Sequence, residues 1–431
     1  MTKSVTVVGA GLAGCEAAWQ LAQRGIHVDL IEMRPQNRSP VHVTDGFAEL
    51  VCSNSLRSDR IENAVGLLKE EMRHLDSLIM QAAESTRVPA GGALAVDRNA
   101  FSGFITDKLY SHPCVSVRRE EVTQIPDGYV IIATGPLTSD AFAERIIEYC
   151  GADTLSFYDA VAPIVSAESL DMNRLFFGSR YDRGDDYLNA PMTKQEYDDF
   201  VFALLNAERA PVHEFEQSVN VFEGCMPVES MAERGHLTLA HGPLKPVGIR
   251  DPKSGAMPYA VVQLRKEDEM GSSYNLVGFQ TRLKFGEQKR VFGMIPGLKD
   301  AEFLRYGVMH RNTFLKSPGI LDERYALIKD DRIRIAGQIS GVEGYVESAA
   351  SGLLAGRYLA GELCGQETDL FSNRIAIGAL ANYVAKGNGS DFQPMNVNYG
   401  IIAPLDYKIR NKKERYQTVA NRSLKEIEGS N

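Results

Sequence analysis

The chain is short of the features that mark several common protein classes. No run approaches the ~20 continuous apolar residues that a membrane-spanning helix needs. Six cysteines stand in 431 residues, at positions 15, 52, 114, 150, 225 and 364. None of them forms a CxxC pair and no HExxH occurs, which argues against a disulfide framework and against a zinc site. Positive charge is not in excess either. The formal net charge is −9, so a nucleic-acid partner has to be held by a local basic face. The N-terminus, MTKSVTVVGAG, has no secretory h-region or cleavage site, so a cytoplasmic location away from membranes is expected. Repeats and low-complexity tracts are lacking as well.

What is present begins with composition. At 44% hydrophobic and 24% charged residues, the chain falls among ordinary globular proteins, and its length predicts two structural units. The most specific signal is SVTVVGAGLAGCEAAWQLAQRGIHVDLIEMR. An apolar strand over 4–8 runs into Gly9-Ala10-Gly11-Leu12-Ala13-Gly14, and good helix formers fill 13–24 before Gly25. A second strand over 27–31 ends at Glu32. Gly9 allows a tight turn, Gly11 a close approach to a pyrophosphate, and Gly14 close contact of helix with strand. The helix N-terminus offers unpaired N–H groups to phosphates, and Glu32 stands where a carboxylate binds ribose hydroxyls. That carboxylate disfavours a 2′-phosphate, so FAD or NAD fits better than NADP as the resident ligand. A glycine-rich turn that binds nothing is the bland alternative.

Two later stretches fit the same nucleotide fold. YVIIATG, ending at Gly135, reads as a buried parallel strand. RIRIAG, ending at Gly337, reads as another and leads through Gly341 and Gly344 into a helix rich in small residues. The region between, roughly 156–320, has no second GxGxxG and carries aromatics, alternating strands and turns. In VGFQTRLKF, Val277, Phe279, Thr281, Leu283 and Phe285 alternate with Gln280, Arg282 and Lys284. In YAVVQLR, Gln263 and Arg265 share a face. Period 2 predicts half-buried strands with an amide and basic outer face, continued by Lys289 and Arg290 in a helix. That face is either solvated or suited to phosphates. The segment YKIRNKKERY (407–416) poses the same choice between a solvated terminal helix and an RNA-contacting tail.

An apolar stripe at Ile61, Val65, Leu68, Met72, Leu75 and Ile79 predicts one helix capped by Ser58 or Asp59. Cys52, in VCSNSLRS, then lies just before a helix start and near Arg57, both of which favour a thiolate. Cys225, in FEGCMPVES, sits in a turn with Glu223 and Glu229 nearby, a setting for a nucleophile or for a buried filler. Cys15, Cys114, Cys150 and Cys364 read as structural. His310, Arg311 and Asn312 suit either a flat ligand or a satisfied turn.

Taken with ELVCSNSLRS, VPAGGALAVDR, FEGCMP, GFQTRLKFGEQKRVFGMIPGL, RYGVMHRNTF, AGQISGVEGYVESAASG and FQPMNVNYG, the chain resembles the folate- and FAD-dependent tRNA (uracil-5-)-methyltransferase family. The resemblance runs from Val5 to about Ser423, with Phe285 standing where many members have tryptophan. It implies an α/β fold: a Rossmann-type FAD-binding domain, glutathione-reductase-like, interrupted by an α+β insertion domain. The expected boundaries are 1–155, 156–320 and 321–431. It implies methylation of uridine 54 in the tRNA T-loop, with the one-carbon unit from 5,10-methylenetetrahydrofolate and NAD(P)H reducing the flavin. Cys225 and Cys52 carry over as the functional cysteines, with Cys225 as the nucleophile toward uracil C6 and Cys52 beside the flavin; exchanged roles stay open. Arg282, Lys284, Lys289 and Arg290 are the expected RNA contacts, and weak self-association is expected. Rival readings are the same chemistry on ribosomal RNA, a wobble-uridine-modifying flavoprotein, and a non-catalytic RNA-binding flavoprotein.

Overall fold

The structure is a computed structural model and describes residues 4–39, 41–151, 154–160, 162–182, 184–210, 226–307, 309–366, 369–387 and 392–429. Of 154–160, 182 and 309–313 it describes the backbone alone.

The first part of the chain runs β1 (Ser4–Val8), α1 (Leu12–Ala22), β2 (His27–Glu32), β3 (Ser55–Ser58), α2 (Ala64–His74), α3 (Leu78–Ser85), β4 (Arg87–Val88), β5 (Ala93–Val96), α4 (Arg98–Tyr110), β6 (Val115–Arg119), β7 (Tyr129–Ile132) and α5 (Asp140–Cys150). The middle part adds β8 (Thr154–Ala160), β9 (Ile164–Ser166), β10 (Phe176–Phe177), β11 (Leu188–Met192), α6 (Lys194–Leu205), two short helices α7 (Val228–Glu233) and α8 (Thr238–His241), β12 (Ala260–Lys266), β13 (Ser273–Leu276), α9 (Phe285–Phe292), β14 (Phe303–Arg305) and β15 (Met309–Leu315). The last part holds β16 (Ala326–Leu327), β17 (Asp330–Ile335), α10 (Tyr345–Cys364), α11 (Ala376–Lys386) and α12 (Lys412–Glu428).

Two six-stranded sheets organise these elements. The first has the order β16-β17-β7-β1-β2-β6, parallel throughout except for the β16 edge. Its central strands are apolar on both faces: Val5, Val7, Val130, Ile131 and Ile132 are fully buried, as a parallel sheet covered by helices requires. All eleven residues of α1 are buried, because α10 lies directly against it. A Cβ at Gly352 would stand 2.1 Å from the Ala13 carbonyl oxygen, and one at Gly356 2.6 Å from that of Ala17. Small residues at these positions are therefore a packing requirement rather than a choice of helix propensity.

The second sheet, β10-β11-β12-β13-β9-β14, is antiparallel. Helix α6, closed by a Thr193–Glu196 capping box, lays Tyr197, Phe200, Val201 and Leu204 into one core with Leu188, Val262 and Leu264. The chain passes between the two units along β8 and β15, which pair antiparallel from Thr154↔Leu315 to Ala160↔Met309. A small sheet, β3-β5-β4, fills the angle between them. Among the described residues no helix is long and apolar enough to cross a membrane.

Three expectations change. The stripe over 61–79 is two helices, broken at Leu75–Ser77, where Asp76 takes φ 55° and Ser77 caps α3 through the Met80 N–H. The buried Glu16 carboxylate fixes the break by accepting from Ser77 Oγ at 2.6 Å and the Ile79 N–H at 3.0 Å. Over 277–285 the burial alternation survives at Phe279, Thr281 and Leu283, yet the only pairing there among the described residues is an isolated bridge from Leu283 to Arg209. Phe285 leaves the pattern because it starts α9; it is 55% exposed and stacks on Tyr306 at 4.6 Å. Finally, the Gln263/Arg265 face of β12 is not solvated. Both side chains are buried, because that face is turned toward the first unit.

Candidate active site

The glycine loop between β1 and α1 is closed on its protein side and open on the other. Gly9 takes φ +98°, and a Cβ there would lie 2.6 Å from the Ala133 carbonyl oxygen at the end of β7. A Cβ on Gly14 would lie 1.8 Å from the Gly9 oxygen. Gly11, by contrast, would meet nothing within 4 Å. Leu12 and Ala13 are buried behind it. The one free approach to the loop thus lies at Gly11 and the first turn of α1, where N–H groups suit a pyrophosphate. Gly135 turns the chain just after β7, with open space around its own Cβ position.

Glu32 ends β2 buried and already engaged. One oxygen accepts the Ala10 N–H at 2.9 Å, and the other accepts the Arg34 N–H and its Nε at 2.8 Å. Burial alone would raise this acid, but Arg34 and these hydrogen bonds outweigh it and hold the carboxyl below its usual value. A carboxylate has about four acceptor directions, so one remains for a ribose hydroxyl. Arg34 is itself buried between Glu32 and Glu49. These residues fit an adenine dinucleotide with a free ribose, and FAD in particular.

The second glycine loop, 337–344, meets the first. Gly337 donates its N–H to Ser351 Oγ at 2.7 Å, and its Cβ position stands 3.0 Å from Ala13 Cβ. At Gly344, φ is +110° and a Cβ would stand 2.4 Å from Glu347 Oε2. That oxygen is buried and has no hydrogen-bond partner among the described residues.

Cys52 arrives at this junction by way of the 48–51 segment, which is tied to the first loop by the Ala48 N–H on the Ala10 oxygen at 2.9 Å. The half-buried Cys52 donates its N–H to the Tyr345 hydroxyl at 2.6 Å, and Ser53 does so at 3.2 Å. From the other side, Arg265 on β12 donates to Asn54 Oδ1 at 2.8 Å and to Ser53 Oγ at 2.7 Å. Asn54 Nδ2 returns to the carbonyls of Val96 and Lys266. Arg98 donates to the Leu50 carbonyl and pairs with Glu267 at 2.8 Å. The loop is therefore clamped between both units. Burial pushes the Tyr345 phenol up, and the Cys52 thiol adds to this, so the phenol is neutral and able to accept. Burial opposes the Arg98 charge, yet Glu267 holds that guanidinium above its usual value. Arg98, Arg265 and Arg305 all lie within electrostatic reach of the thiol.

The structure corrects the expected source of that field. Helix α2 starts at Ala64, with β3 in between, so no helix start follows Cys52 directly. The Arg57 guanidinium goes to the buried Glu347. Arg98, Arg265 and Arg305 take its place, from three separate parts of the chain. Only the alternation in YAVVQLR drew attention to one of them. Cys225 lies outside the described residues, as do the side chains of His310, Arg311 and Asn312. Among the cysteines read as structural, Cys15 is buried with its thiol on the Ala10 oxygen at 3.3 Å, whereas Cys364 is exposed.

The expected RNA-contacting cations lie on the second unit, mostly with carboxylates. Lys284 pairs with Glu208 at 2.7 Å, Arg290 with Glu287 at 2.6 Å, and Arg282 reaches Glu229 at 3.9 Å. Lys289 is exposed.

A family model described as "Glucose inhibited division protein A" matches residues 4–367. The methylenetetrahydrofolate--tRNA-(uracil-5-)-methyltransferase TrmFO of Staphylococcus haemolyticus is 58% identical over 430 residues, covering 99% of each chain. The protein of the same name from Lactobacillus johnsonii is 58% identical over 430 residues, covering 99% of this chain and 98% of its own. Among solved structures, Aquifex aeolicus GidA in its form II crystal has a TM-score of 0.70 at 14% identity, covering 99% of this chain and 73% of that one. At that identity the likeness concerns the fold. With an open dinucleotide cradle, a GidA-like fold and near full-length identity to these relatives, the chain belongs to the TrmFO group of the glucose inhibited division protein A family.

Proposed function

We propose that the chain is a methylenetetrahydrofolate- and FAD-dependent methyltransferase that forms 5-methyluridine at position 54 of the tRNA T-loop. One observation carries this reading: a complete dinucleotide cradle is joined to a cysteine-bearing loop in a chain whose full-length relatives are named methylenetetrahydrofolate--tRNA-(uracil-5-)-methyltransferases. Uracil C5 is a weak nucleophile until a thiolate adds at C6, so a cysteine is required. Cys225 is assigned that addition and Cys52 the flavin side of the site. FAD, when bound, supplies the two-electron reduction that completes the methyl group, with NAD(P)H as the electron source. Gly9, Gly11, Gly14 and Glu32 would hold its adenosine diphosphate portion. The loop at Gly337–Gly344 and the clamp on Cys52–Asn54 would order the end where chemistry occurs. The target base has to leave its stack for a thiolate to reach C6. The same reading puts the enzyme in the cytoplasm, where its RNA is, and has it self-associate only weakly.

The test is methyl incorporation into a T-loop minihelix, with and without methylenetetrahydrofolate. Label that depends on folate and NAD(P)H, and is lost when uridine 54 is replaced, is the expected result. Label supplied by S-adenosylmethionine would refute the assignment. In the same assay Cys225→Ser should abolish the covalent complex with 5-fluorouridine-containing RNA, while Cys52→Ser should not; the opposite result would exchange their roles.

A further inference from the structure

Of the four cations over 282–290 only Lys289 has no carboxylate within 4 Å among the described residues; a denser group of such charge lies near the end of the chain. Residues 406–416, DYKIRNKKERY, carry five cations against the two acids Asp406 and Glu414. Lys408, Arg410, Lys412, Lys413 and Arg415 are all exposed. Among the described residues, only Lys413 has a carboxylate within 4 Å, Glu62 at 3.7 Å, and Lys413 is still 80% exposed. Across a hollow of about 490 Å³, lined by Ser58, Glu62, Asn63, Gly92 and Lys413, stands Arg60. Arg60 is also exposed and has no ion-pair partner among the described residues.

This surface is held rigidly and is joined to the cysteine site. Tyr416 stacks on Tyr399 with ring centres 4.1 Å apart, and Lys412 and Arg415 lie 5.5 and 5.4 Å from the Tyr416 ring centre. The Tyr399 hydroxyl bonds the Ile61 carbonyl. Two residues earlier, the Val397 N–H meets Glu347 at 2.9 Å, the same carboxylate that takes Arg57. Arg57 and Arg60 are three residues apart, so their backbones are at most about 11 Å from each other. Arg60 follows Cys52 by eight residues, so the two backbones lie within about 29 Å of each other, and a polyanion with one nucleotide at the cysteine loop can extend to Arg60.

We infer that Arg60 and the cations of 408–415, around this hollow, form the surface that holds the phosphodiester backbone of the RNA outside the reacting nucleotide. The inference rests on the proposed RNA substrate but not on the methylation chemistry. Exposed cations little opposed by acids are what counterion release from a phosphate backbone requires; here only Lys413 faces a carboxylate, Glu62, whereas three of the four cations over 282–290 give up part of their field to Glu208, Glu229 and Glu287.

The experiment uses the flavin-loaded full chain and an unmodified T-arm minihelix transcript, with binding measured from 50 to 300 mM salt. The variant R60Q/K412Q/K413Q/R415Q should bind at least about tenfold more weakly at low salt. Its slope of log affinity on log salt should be shallower by about 3.6, at roughly 0.9 for each of the four lost duplex phosphate contacts. Its flavin should still be reduced by NAD(P)H at the wild-type rate, which shows the cofactor site intact. The control K284Q/K289Q/R290Q should change the affinity less than about threefold. An unchanged slope in the first variant, or a larger loss in the control, overturns the inference. So does displacement of the RNA by polyglutamate at equal charge concentration, which assigns the surface to an acidic protein. Failure of folate-dependent methylation leaves this binding result untouched, so the two readings fail separately.

Discussion

Glycines in this chain that read alike in sequence do different work. Gly11 and Gly352 each stand among small residues beside a helix, yet a methyl on Gly11 would enter open space and one on Gly352 would strike the Ala13 carbonyl at 2.1 Å. Gly11→Ala should therefore cost the apoprotein no more than about 1 kcal/mol, the difference between glycine and alanine at a helix cap. It should nevertheless lower bound flavin sharply. Gly352→Ala should do the reverse in order of cause: a loss of about 3 kcal/mol from forced separation of α1 and α10, with flavin lost only as the fold loosens. Melting temperature of the apoprotein, read beside flavin absorbance per chain, separates the two. The first loop was legible from residues 4–32 because the glycine spacing, both flanking strands and Glu32 lie within that stretch, although Gly9 also packs on the distant Ala133 carbonyl. Gly352 was not, since its constraint is a carbonyl more than three hundred residues away.

Among the secondary elements, helix ends are where buried acids act. Glu71, on α2, is fully buried and accepts the Ala376 and Ile377 N–H groups at 2.8 and 2.7 Å, together with the Ser423 hydroxyl. It thereby fastens the start of α11 and the middle of α12 to α2. Burial, only partly offset by these hydrogen bonds, pushes its carboxyl up to about 7. An acid raised on folding binds its proton more tightly in the native state than in the unfolded chain. Stability is then full below the unfolded value near 4.5 and falls as pH rises to about 7, where it levels off. The slope contributed by this one group is at most about 1.4 kcal/mol per pH unit. Glu71→Gln removes the titration but keeps only one acceptor oxygen, so one of the two N–H groups, which use different oxygens of Glu71, loses its partner and the variant is less stable at every pH. Denaturant unfolding between pH 5 and 8 should show a smaller fall in stability for the variant; equal pH profiles would refute this role. The apolar stripe over 61–79 was visible in the sequence, but the break at Asp76 was not, because Glu16 from α1 holds the capping Ser77 and the Ile79 N–H in place.

For the whole molecule, the question is what keeps two separate cores in one arrangement. Polar clamps do this around the small β3-β5-β4 sheet. Arg265 binds Ser53 and Asn54, Asn54 binds the Lys266 carbonyl, Arg98 pairs with Glu267, and the Gly91 N–H donates to Asp186 at 2.5 Å. The loop that carries Cys52 is thus also the joint. Replacing Asn54 and Arg265 together by alanine removes three of these hydrogen bonds and a buried charge, each bond to a charged group being worth ~1.5–3 kcal/mol. Calorimetry should resolve two unfolding transitions in the N54A/R265A variant where the wild type shows one. Cys52 should also be alkylated faster, its loop having lost the second unit's hold. A single unshifted transition would mean that β8, β15 and the remaining clamps at Arg98–Glu267 and Gly91–Asp186 suffice to couple the cores.

The sequence by itself determined the dinucleotide loop and the parallel strands that frame it. Those features rest on short-range rules: the reach of a turn, the period of a strand, the start of a helix. Only the tertiary structure decided which charges meet. Arg57, adjacent in sequence to the cysteine loop, is drawn to Glu347 because a fully buried carboxylate demands a cation. Arg265, which period 2 placed on an outer face, is buried against that loop because a second core covers it. Alternation tells which residues share a face of a strand; what lies against that face depends on segments far along the chain, and that decided both the clamp on Cys52 and where the unpaired positive charge was left.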